Sequence, residues 1–362
     1  MLKIFAFTKY DEAGASSRVR CYNYLKYLEG DFEFTISPLF KGAYLKHLYL
    51  HGKKKIGSSF FFYVIRFFTL VKVCFSKDID IVWIEKELFP YVPIPFELML
   101  NAFGKKIVYD YDDAIFHNYD HLLFKKLFSK KFFLISKYAD HIMVGNQYLR
   151  EYFEHVPDKN ITIIPTVIDL DVYETSNSQK LSLNDNINIV WIGTPNTQKY
   201  LFLIDDAITA LQGKHSINLK LIGVNEEKLA IKSKFQAVQW SAETEAAIIG
   251  SCDIGIMPVN DNDFERGKCG FKLIQYMAQG LPTVASPVGA NIQISEHSGL
   301  LAESPEDWRL QIERLILNPK LRDELGANGI EKVKRYYNYD VQSSVIAGIF
   351  TSLAYKGKED VF

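Results

Sequence analysis

Ten short apolar runs limit what this chain can fold into, because each is followed by a stretch long enough for a helix. They fall in two sets, at 3–7, 79–84, 106–109, 141–144 and 161–164, then at 187–192, 218–222, 238–240, 254–257 and 283–285. Amphipathic segments such as 17–28, 199–211 and 271–279 lie between them. Near-continuous apolar runs of this length suit strands buried on both faces. Strands alternating with helices give parallel sheets with crossover helices. Two sets imply an α/β protein of two Rossmann-like domains, and 362 residues is the right length for two, at about 100–200 residues per domain. The linker is expected near 165–178, where the polar stretch ETSNSQ begins. That places the domains at 1–167 and 168–339.

A chain that is 48% hydrophobic and 23% charged can fill a core, which excludes wholesale disorder. Cys21, Cys74, Cys252 and Cys269 lie far apart with no CxxC pair, which argues against a zinc ribbon, a thioredoxin-type site and a disulfide scaffold. The net charge of −1 hides an asymmetry. Residues 1–167 hold 23 Lys/Arg against 18 Asp/Glu, and residues 168–362 hold 19 against 25. Halves of opposite sign suggest two different partners. No concentrated basic footprint points to nucleic acid.

Within the basic half, no Asp or Glu occurs between Glu33 and Asp78, while Lys41, Lys46, Lys53, Lys54, Lys55, Arg66, Lys72 and Lys77 do. The same interval carries SFFFYVIRFFTLVKVCF, and 121–137 (HLLFKKLFSKKFFLISK) has the same character. These runs are too interrupted to span a bilayer, but basic residues mixed with Phe and Leu suit an anionic membrane surface. The other reading packs the phenylalanines on the sheet and leaves the lysines in solvent. The N-terminus, MLKIFAFTKYDEAG, reads as a strand and a turn rather than a signal peptide. The expectation is a cytoplasmic protein, peripheral on the inner face of the plasma membrane.

The segment 267–291, GKCGFKLIQYMAQGLPTVASPVGAN, carries the strongest chemical signal. A glycine-containing loop feeds a helix expected to start near Phe271. The free N–H groups and positive dipole end of such a helix favour an anion. Gly270 permits close approach, Lys268 and Lys272 add positive charge, and Gln275 follows one turn later, able to bond a ribose hydroxyl. An ordinary loop–helix unit with solvated lysines is the plain alternative.

This segment resembles the donor-binding region of retaining glycosyltransferases of the GT-B fold, family 4, which read Glu, seven residues, Glu, then Ala-Met-Ala-x-Gly-x-Pro-Val. Here Gln275 stands at the second Glu and is followed by Tyr276-Met277-Ala278 and Gly280-Leu281-Pro282, while Gly267 stands at the first. The GASSR loop, DYDDAIF and GKCGFKLIQYMA match a bacterial branch of that family, over nearly the whole chain. The resemblance implies two domains facing across a cleft, with the last helix crossing back so that 340–362 joins the first domain. It implies a nucleoside diphosphate sugar as co-substrate and no metal or other cofactor. The second-Glu position would hold the donor ribose. The first would touch the transferred sugar, with Lys268 or Glu265 as substitutes. Lys199, at the helix start after IVWIGTPN, matches the family's diphosphate-binding base, and Gly193, Thr194 and Asn196 stand where an Arg is often found. A surface role for Lys199 is the alternative.

In the first domain, Gly14 permits a tight turn, Ser16 and Ser17 are expected helix caps, and Arg18 and Arg20 open the helix against its dipole. By resemblance this loop faces the acceptor, and a phosphate or acidic acceptor would account for the arginines. Surface ion pairs would also account for them. Asp110, Asp112 and Asp113 follow a strand end, where open sheets bind ligands. They could ligate a metal, cap a helix, or bond sugar and acceptor hydroxyls. The last role is preferred for Asp112 or Asp113, with His117 nearby. Glu87, at another strand end, could take an acceptor proton. Glu243 and Glu245 are expected to cap the helix after Trp240. The eight histidines show no ligand spacing, so no metal site is assigned.

The reading is a retaining glycosyltransferase moving a sugar to a hydroxyl of a glycan or lipid-linked acceptor, in bacterial surface polysaccharide synthesis. The alternatives are a non-catalytic nucleotide-sugar-binding partner protein or another enzyme on this fold, such as an epimerase.

Overall fold

The computed structural model describes residues 1–42, 44, 56–93, 96–120, 122–128, 130–174 and 186–359. The expected roles of Lys46, Lys53, Lys54 and Lys55, and of the ETSNSQ stretch beyond Glu174, lie outside these residues. Contacts divide the chain into Met1–Thr166 with Tyr339–Phe362, and Val167–Asn338.

The first unit is a parallel sheet of β1 (Leu2–Tyr10), β2 (Phe32–Phe40), β3 (Ile81–Glu85), β4 (Lys106–Tyr111), β5 (His141–Val144) and β6 (Ile161–Ile163), in the order β2-β1-β3-β4-β5-β6. The second has β7 (Ile187–Ile192), β8 (Ile217–Ile222), β9 (Gln236–Val238), β10 (Ile254–Met257), β11 (Thr283–Ala285) and β12 (Gly299–Leu301), in the order β12-β11-β10-β7-β8-β9. Both are the α/β sheets expected. The order reverses between β1 and β3 in one and between β7 and β10 in the other, and such switch points are where open sheets bind ligands.

Two strands escaped the sequence reading, and both lie at sheet edges. β2 holds Pro38, whose missing N–H fits an edge. β12 is three residues long. Segment 17–28 is not one helix but Ala15–Arg20, a 3₁₀ turn and Leu25–Leu28. Segment 199–211 divides into a 3₁₀ helix, Gln198–Leu203, and the helix Asp205–Gln212.

The last helix, Tyr339–Glu359, belongs to the first unit. The Tyr339 ring stacks on Tyr27 at 5.2 Å and meets Tyr24 edge-on at 4.8 Å. Its hydroxyl donates to the Val19 carbonyl. Further along, Phe350 packs edge-on against Trp83 and Phe32, each at 5.6 Å. Aromatic burial of this kind makes the helix part of that unit's core.

Candidate functional site

In the second unit the candidate residues gather at the carboxyl ends of β7 and β10. Gly193 follows β7, and a Cβ there would stand 2.3 Å from the ring of the buried Trp191. Glycine is therefore what lets the chain turn across that indole. The Thr194 N–H donates to the Thr197 hydroxyl at 3.1 Å, which fixes the turn and leaves Thr194 exposed.

The helix Phe271–Ala278 springs from Gly270, whose φ of 64° is left-handed and favours glycine. A Cβ would also run into Ile294, at 2.3 Å. The N–H groups of Phe271 and Lys272 are first-turn groups, which have no carbonyl to meet within the helix. The Phe271 ring is half-buried against the core of this unit, and its amide lies in the helix's first turn.

Three lysines converge here. The Lys272 ammonium lies 4.2 Å from the centre of the Trp191 ring and forms no ion pair among the described residues. Burial, followed by repulsion from Lys268, pushes its pKa down to about 7, and Glu265 offsets only part of this. The ammonium groups of Lys199 and Lys268 each lie 5.1 Å from the centre of the Tyr200 ring. Lys199 is exposed. Lys268 pairs with the buried Glu265 at 2.5 Å, and Glu265 also accepts the Tyr200 hydroxyl. An anion arriving at Lys268 would therefore compete with a carboxylate already in place.

Gln275 is buried and engaged. Its amide donates to the Tyr173 hydroxyl at 2.8 Å and to Glu245 Oε1 at 3.3 Å. Glu245 corrects the capping expectation. The helix Glu245–Gly250 has no side-chain cap, and Glu245 Oε2 instead accepts the Trp240 indole N–H at 2.5 Å. Glu243 takes the Ser241 hydroxyl. Tyr173 lies about a hundred residues before Gln275, so no local pattern could have paired them.

The first unit holds a denser polar cluster at the ends of β1, β3 and β4. The helix Ala15–Arg20 is capped by Gly14, not by a serine side chain. Gly14 is glycine for space, since a Cβ would fall 2.4 Å from Tyr10 Cβ. Ser16 and Ser17, expected as caps, donate to Glu85 at 3.1 and 2.6 Å, and Ser16 also reaches Asp112 at 2.7 Å. Arg18 is half-buried and donates to the Glu12 carbonyl at 3.4 Å.

Arg20 departs from the reading that set it toward a ligand. It is buried, forks onto Asp110 and donates to the carbonyls of Ile164 and Pro165. A guanidinium so occupied is a structural strut.

Lys86, with a left-handed φ of 63°, bridges Asp112 at 2.9 Å and Asp113 at 3.0 Å. Burial opposes its charge, but the two aspartates hold its pKa well above the ordinary lysine value. Asp112 is likewise held low by Lys86 and Arg20 despite its burial. Asp113 is the more exposed carboxylate, at 33%. Glu87 is buried, accepts from Tyr119 and pairs with Lys131 at 2.7 Å. It borders a small cavity with Lys9, Lys86, Tyr91 and Asn118. His117 bonds Asp120 and Tyr148.

The basic, Phe-rich stretches divide by residue. On the helix Ile56–Phe75, Phe60, Phe61, Ile65, Phe68, Lys72 and Phe75 are exposed. Arg66 is buried and donates to the carbonyls of Thr8 and Ser37. In the second stretch Lys125, Lys126, Leu127, Lys130, Phe133 and Lys137 are exposed, while Phe128, Lys131 and Phe132 are buried. Arg66 and Lys131 therefore drop out of any surface charge. No helix among the described residues is long and apolar enough to cross a membrane.

Residues 186–318 match the family described as "Glycosyl transferases group 1". An uncharacterized glycosyltransferase of Methanocaldococcus jannaschii, MJ1178, is 27% identical over 238 residues, covering 61% of this chain and 62% of its own length. A second from that organism, MJ1069, is 25% identical over 315 residues, covering 79% and 78%. The crystal structure of Anabaena Alr3699/HepE in complex with UDP-glucose superposes with a TM-score of 0.72 at 13% identity, over 97% of this chain and 100% of that one. A glycosyltransferase from Rickettsia africae superposes at 0.73 and 13%, over 97% and 98%. At such identity the likeness is one of fold.

Proposed function

Taking this chain as what its matched family makes it, a group 1 glycosyltransferase of the GT-B fold, we propose that it transfers a sugar from a nucleoside diphosphate sugar to a hydroxyl with retention, as family 4 enzymes do. The observation that carries this is Lys272. A half-buried ammonium without an ion-pair partner among the described residues is costly, and here it adjoins first-turn amides at a sheet's switch point. A diphosphate dianion repays that cost.

In this reading the bond from the anomeric carbon to the diphosphate oxygen breaks as the acceptor oxygen bonds to the same face. The proton of the acceptor hydroxyl passes to the departing diphosphate. Lys272, Lys199 and the amides of Phe271 and Lys272 stabilise the negative charge that develops there. Lys268 contributes less, because Glu265 already holds it. The diphosphate charge is met without a metal. Gln275 stands on the nucleoside side of this site. Ser16, Asp112 and Asp113 orient acceptor hydroxyls in the first unit.

The acceptor is lipid-linked, and the first unit rests on an anionic membrane surface. Phe61, Ile65, Phe68 and Phe75 form one exposed stripe at helical spacing, with Lys72 inside it. That is the composition of a face that lies at an interface.

The test is direct. Donor sugars of each nucleoside diphosphate are mixed with a prenyl-phosphate-linked glycan, with and without EDTA, and nucleoside diphosphate release is measured. Release only when both substrates are present, unaffected by EDTA, supports transfer without a metal. Binding of donor with no release under any condition would leave a nucleotide-sugar-binding partner as the better reading.

A further inference from the structure

The cavity beside Glu87 lies where the first sheet reverses its order. Its walls come from the end of β1, the loop after β3 and the 3₁₀ helix Ile115–Tyr119. Such a switch point is where open sheets take ligands. The loop is firmly held. Lys86 and Tyr91, at its two ends, have left-handed φ values of 63° and 59°, which residues with a side chain seldom adopt. Between them, Glu97 accepts the Leu88 N–H at 3.2 Å, Lys131 donates to the Phe89 carbonyl at 2.9 Å and Tyr63 donates to the Pro90 carbonyl at 2.8 Å. The Tyr91 N–H donates to the Tyr119 hydroxyl at 2.9 Å. Strained backbone pinned at successive residues is a wall that keeps its shape for a ligand.

The unspent cation of that cavity is Lys9. It is half-buried and forms no ion pair among the described residues, and its ammonium lies 5.4 Å from the centre of the Tyr10 ring. Glu85, Glu87 and Asp113 are near enough to act on it, but each is taken. Glu85 accepts Ser16, Ser17 and the Lys9 backbone N–H, Glu87 accepts Tyr119 and Lys131, and Asp113 pairs with Lys86. Burial, followed by repulsion from Lys86, lowers the pKa of Lys9, and the carboxylates offset only part of this. A hydroxyl in the cavity would accept a hydrogen bond and leave the charge uncompensated, whereas an anion would do both. Asn118 is exposed, lines the same cavity and makes no side-chain hydrogen bond among the described residues, so its amide is a second donor.

Two observations select the anion. Tyr63, which holds Pro90 of the cavity wall, belongs to the helix Ile56–Phe75 with its exposed stripe of Phe61, Ile65, Phe68 and Phe75. Lys86 lines the cavity and also bridges Asp112 and Asp113, the residues set against the acceptor hydroxyl. An anion with an apolar chain on one side and a sugar on the other is the phosphate of a lipid-linked glycan. We propose that this cavity seats that phosphate, with Lys9 as its cation and Asn118 as its second donor. This rests on the lipid-linked acceptor proposed above and adds the group that anchors it.

The test measures equilibrium binding of farnesyl phosphate, farnesol and inorganic phosphate by titration calorimetry without vesicles. The proteins are the wild type, Lys9→Met, Lys9→Arg, Asn118→Ala, and a double variant of the exposed face, Lys125→Glu with Lys126→Glu. The wild type should bind farnesyl phosphate about tenfold or more tightly than farnesol, the size of one hydrogen bond to a charged group, and more tightly than inorganic phosphate. Lys9→Met should bring the preference over farnesol within about twofold, Lys9→Arg should keep it, and Asn118→Ala should reduce it in part. The double variant should keep it, which separates the cavity from general attraction to a basic surface. A wild type without the preference, or a preference that survives Lys9→Met or is untouched by Asn118→Ala, overturns the proposal. So does a double variant that loses as much as Lys9→Met. Asn118 is exposed, so its variant keeps the test decisive if Lys9→Met disturbs the fold. Inorganic phosphate bound as tightly as farnesyl phosphate would overturn the lipid assignment. All these outcomes leave the donor reading standing. A preference that behaves as expected in a protein that releases no nucleoside diphosphate from any donor upholds this site and refutes the transfer reading instead.

Discussion

The two units share a sheet architecture but treat charge differently at their candidate sites, although away from the paired groups of its site the first unit also leaves the Lys9 ammonium without an ion pair and buries Arg66 against backbone carbonyls with no carboxylate among the described residues. In the first, Arg20 is matched by Asp110, Lys86 by Asp112 and Asp113, and Lys131 by Glu87. In the second, Lys272 lies over an indole with no ion pair among the described residues. A site whose cations are already paired presents hydroxyl-bonding groups, which under the function proposed above suits an uncharged acceptor hydroxyl. A unit that keeps an ammonium unpaired stores unfavourable energy that a dianionic ligand releases. Under the proposed function, the contrast between the two sites makes local electrostatics, more than fold, what separates acceptor work from donor work.

The largest expected effect tests the first half of this contrast. Arg20→Met leaves Asp110 buried without its partner and should cost about 3–5 kcal/mol, as breaking a buried pair does. Urea unfolding followed by fluorescence should show the loss. Lys272→Met, by contrast, should leave stability equal or higher. Equal losses from the two substitutions would erase the distinction between the units.

Next in size is the ligand effect of Lys272→Met, a weakening of nucleotide binding by about 1.5–3 kcal/mol. It carries a pH signature. With a pKa of about 7 in the empty site, Lys272 is neutral above that pH and must take up a proton when a diphosphate binds. Affinity should therefore fall as pH rises above about 7, and this slope should flatten in Lys272→Met. Folding stability runs the other way. Between about 7 and the ordinary lysine value the unfolded chain holds more protons, so this residue makes the empty protein more stable as pH rises through that window. Calorimetric titration in buffers of different ionisation enthalpy would detect the proton. Zero uptake at pH 8 would count against Lys272 as the diphosphate partner.

The smallest effect per residue belongs to the membrane face. Replacing Lys125 and Lys126 with Glu should weaken binding to anionic vesicles by more than the ~1 kcal/mol expected per lost lysine charge, and salt should mimic the change. Phe68→Ser should lower the part of binding that survives salt. Wild-type protein that stays in the supernatant with anionic vesicles at low salt would return these phenylalanines to the role of surface without a partner.

Much of the architecture could be read directly. The run IVWI in β7 and the Gly270 turn before Phe271 were legible because burial on both faces and a left-handed backbone each demand particular residue types. β2 and β12 were not, since an edge strand need not be apolar throughout and three residues give no period. Ser16 and Ser17 were assigned to a helix start that suits serine anywhere, whereas the carboxylate they bond is 68 or more residues away.

Sequence by itself determined the two sheets, the glycine turn and the lysine-bearing helix, because strand and turn preferences act over a few neighbouring residues. Only the tertiary structure decided which charges are spent. Arg20 and Arg18 look alike in the chain, as do Lys131 and Lys130, yet Arg20 and Lys131 are buried while Arg18 is half-buried and Lys130 exposed. The meeting of Gln275 with Glu245 and Tyr173 was likewise settled by packing. A charge is neutralised by whatever lies within a few ångströms in space, and chain order does not record that distance.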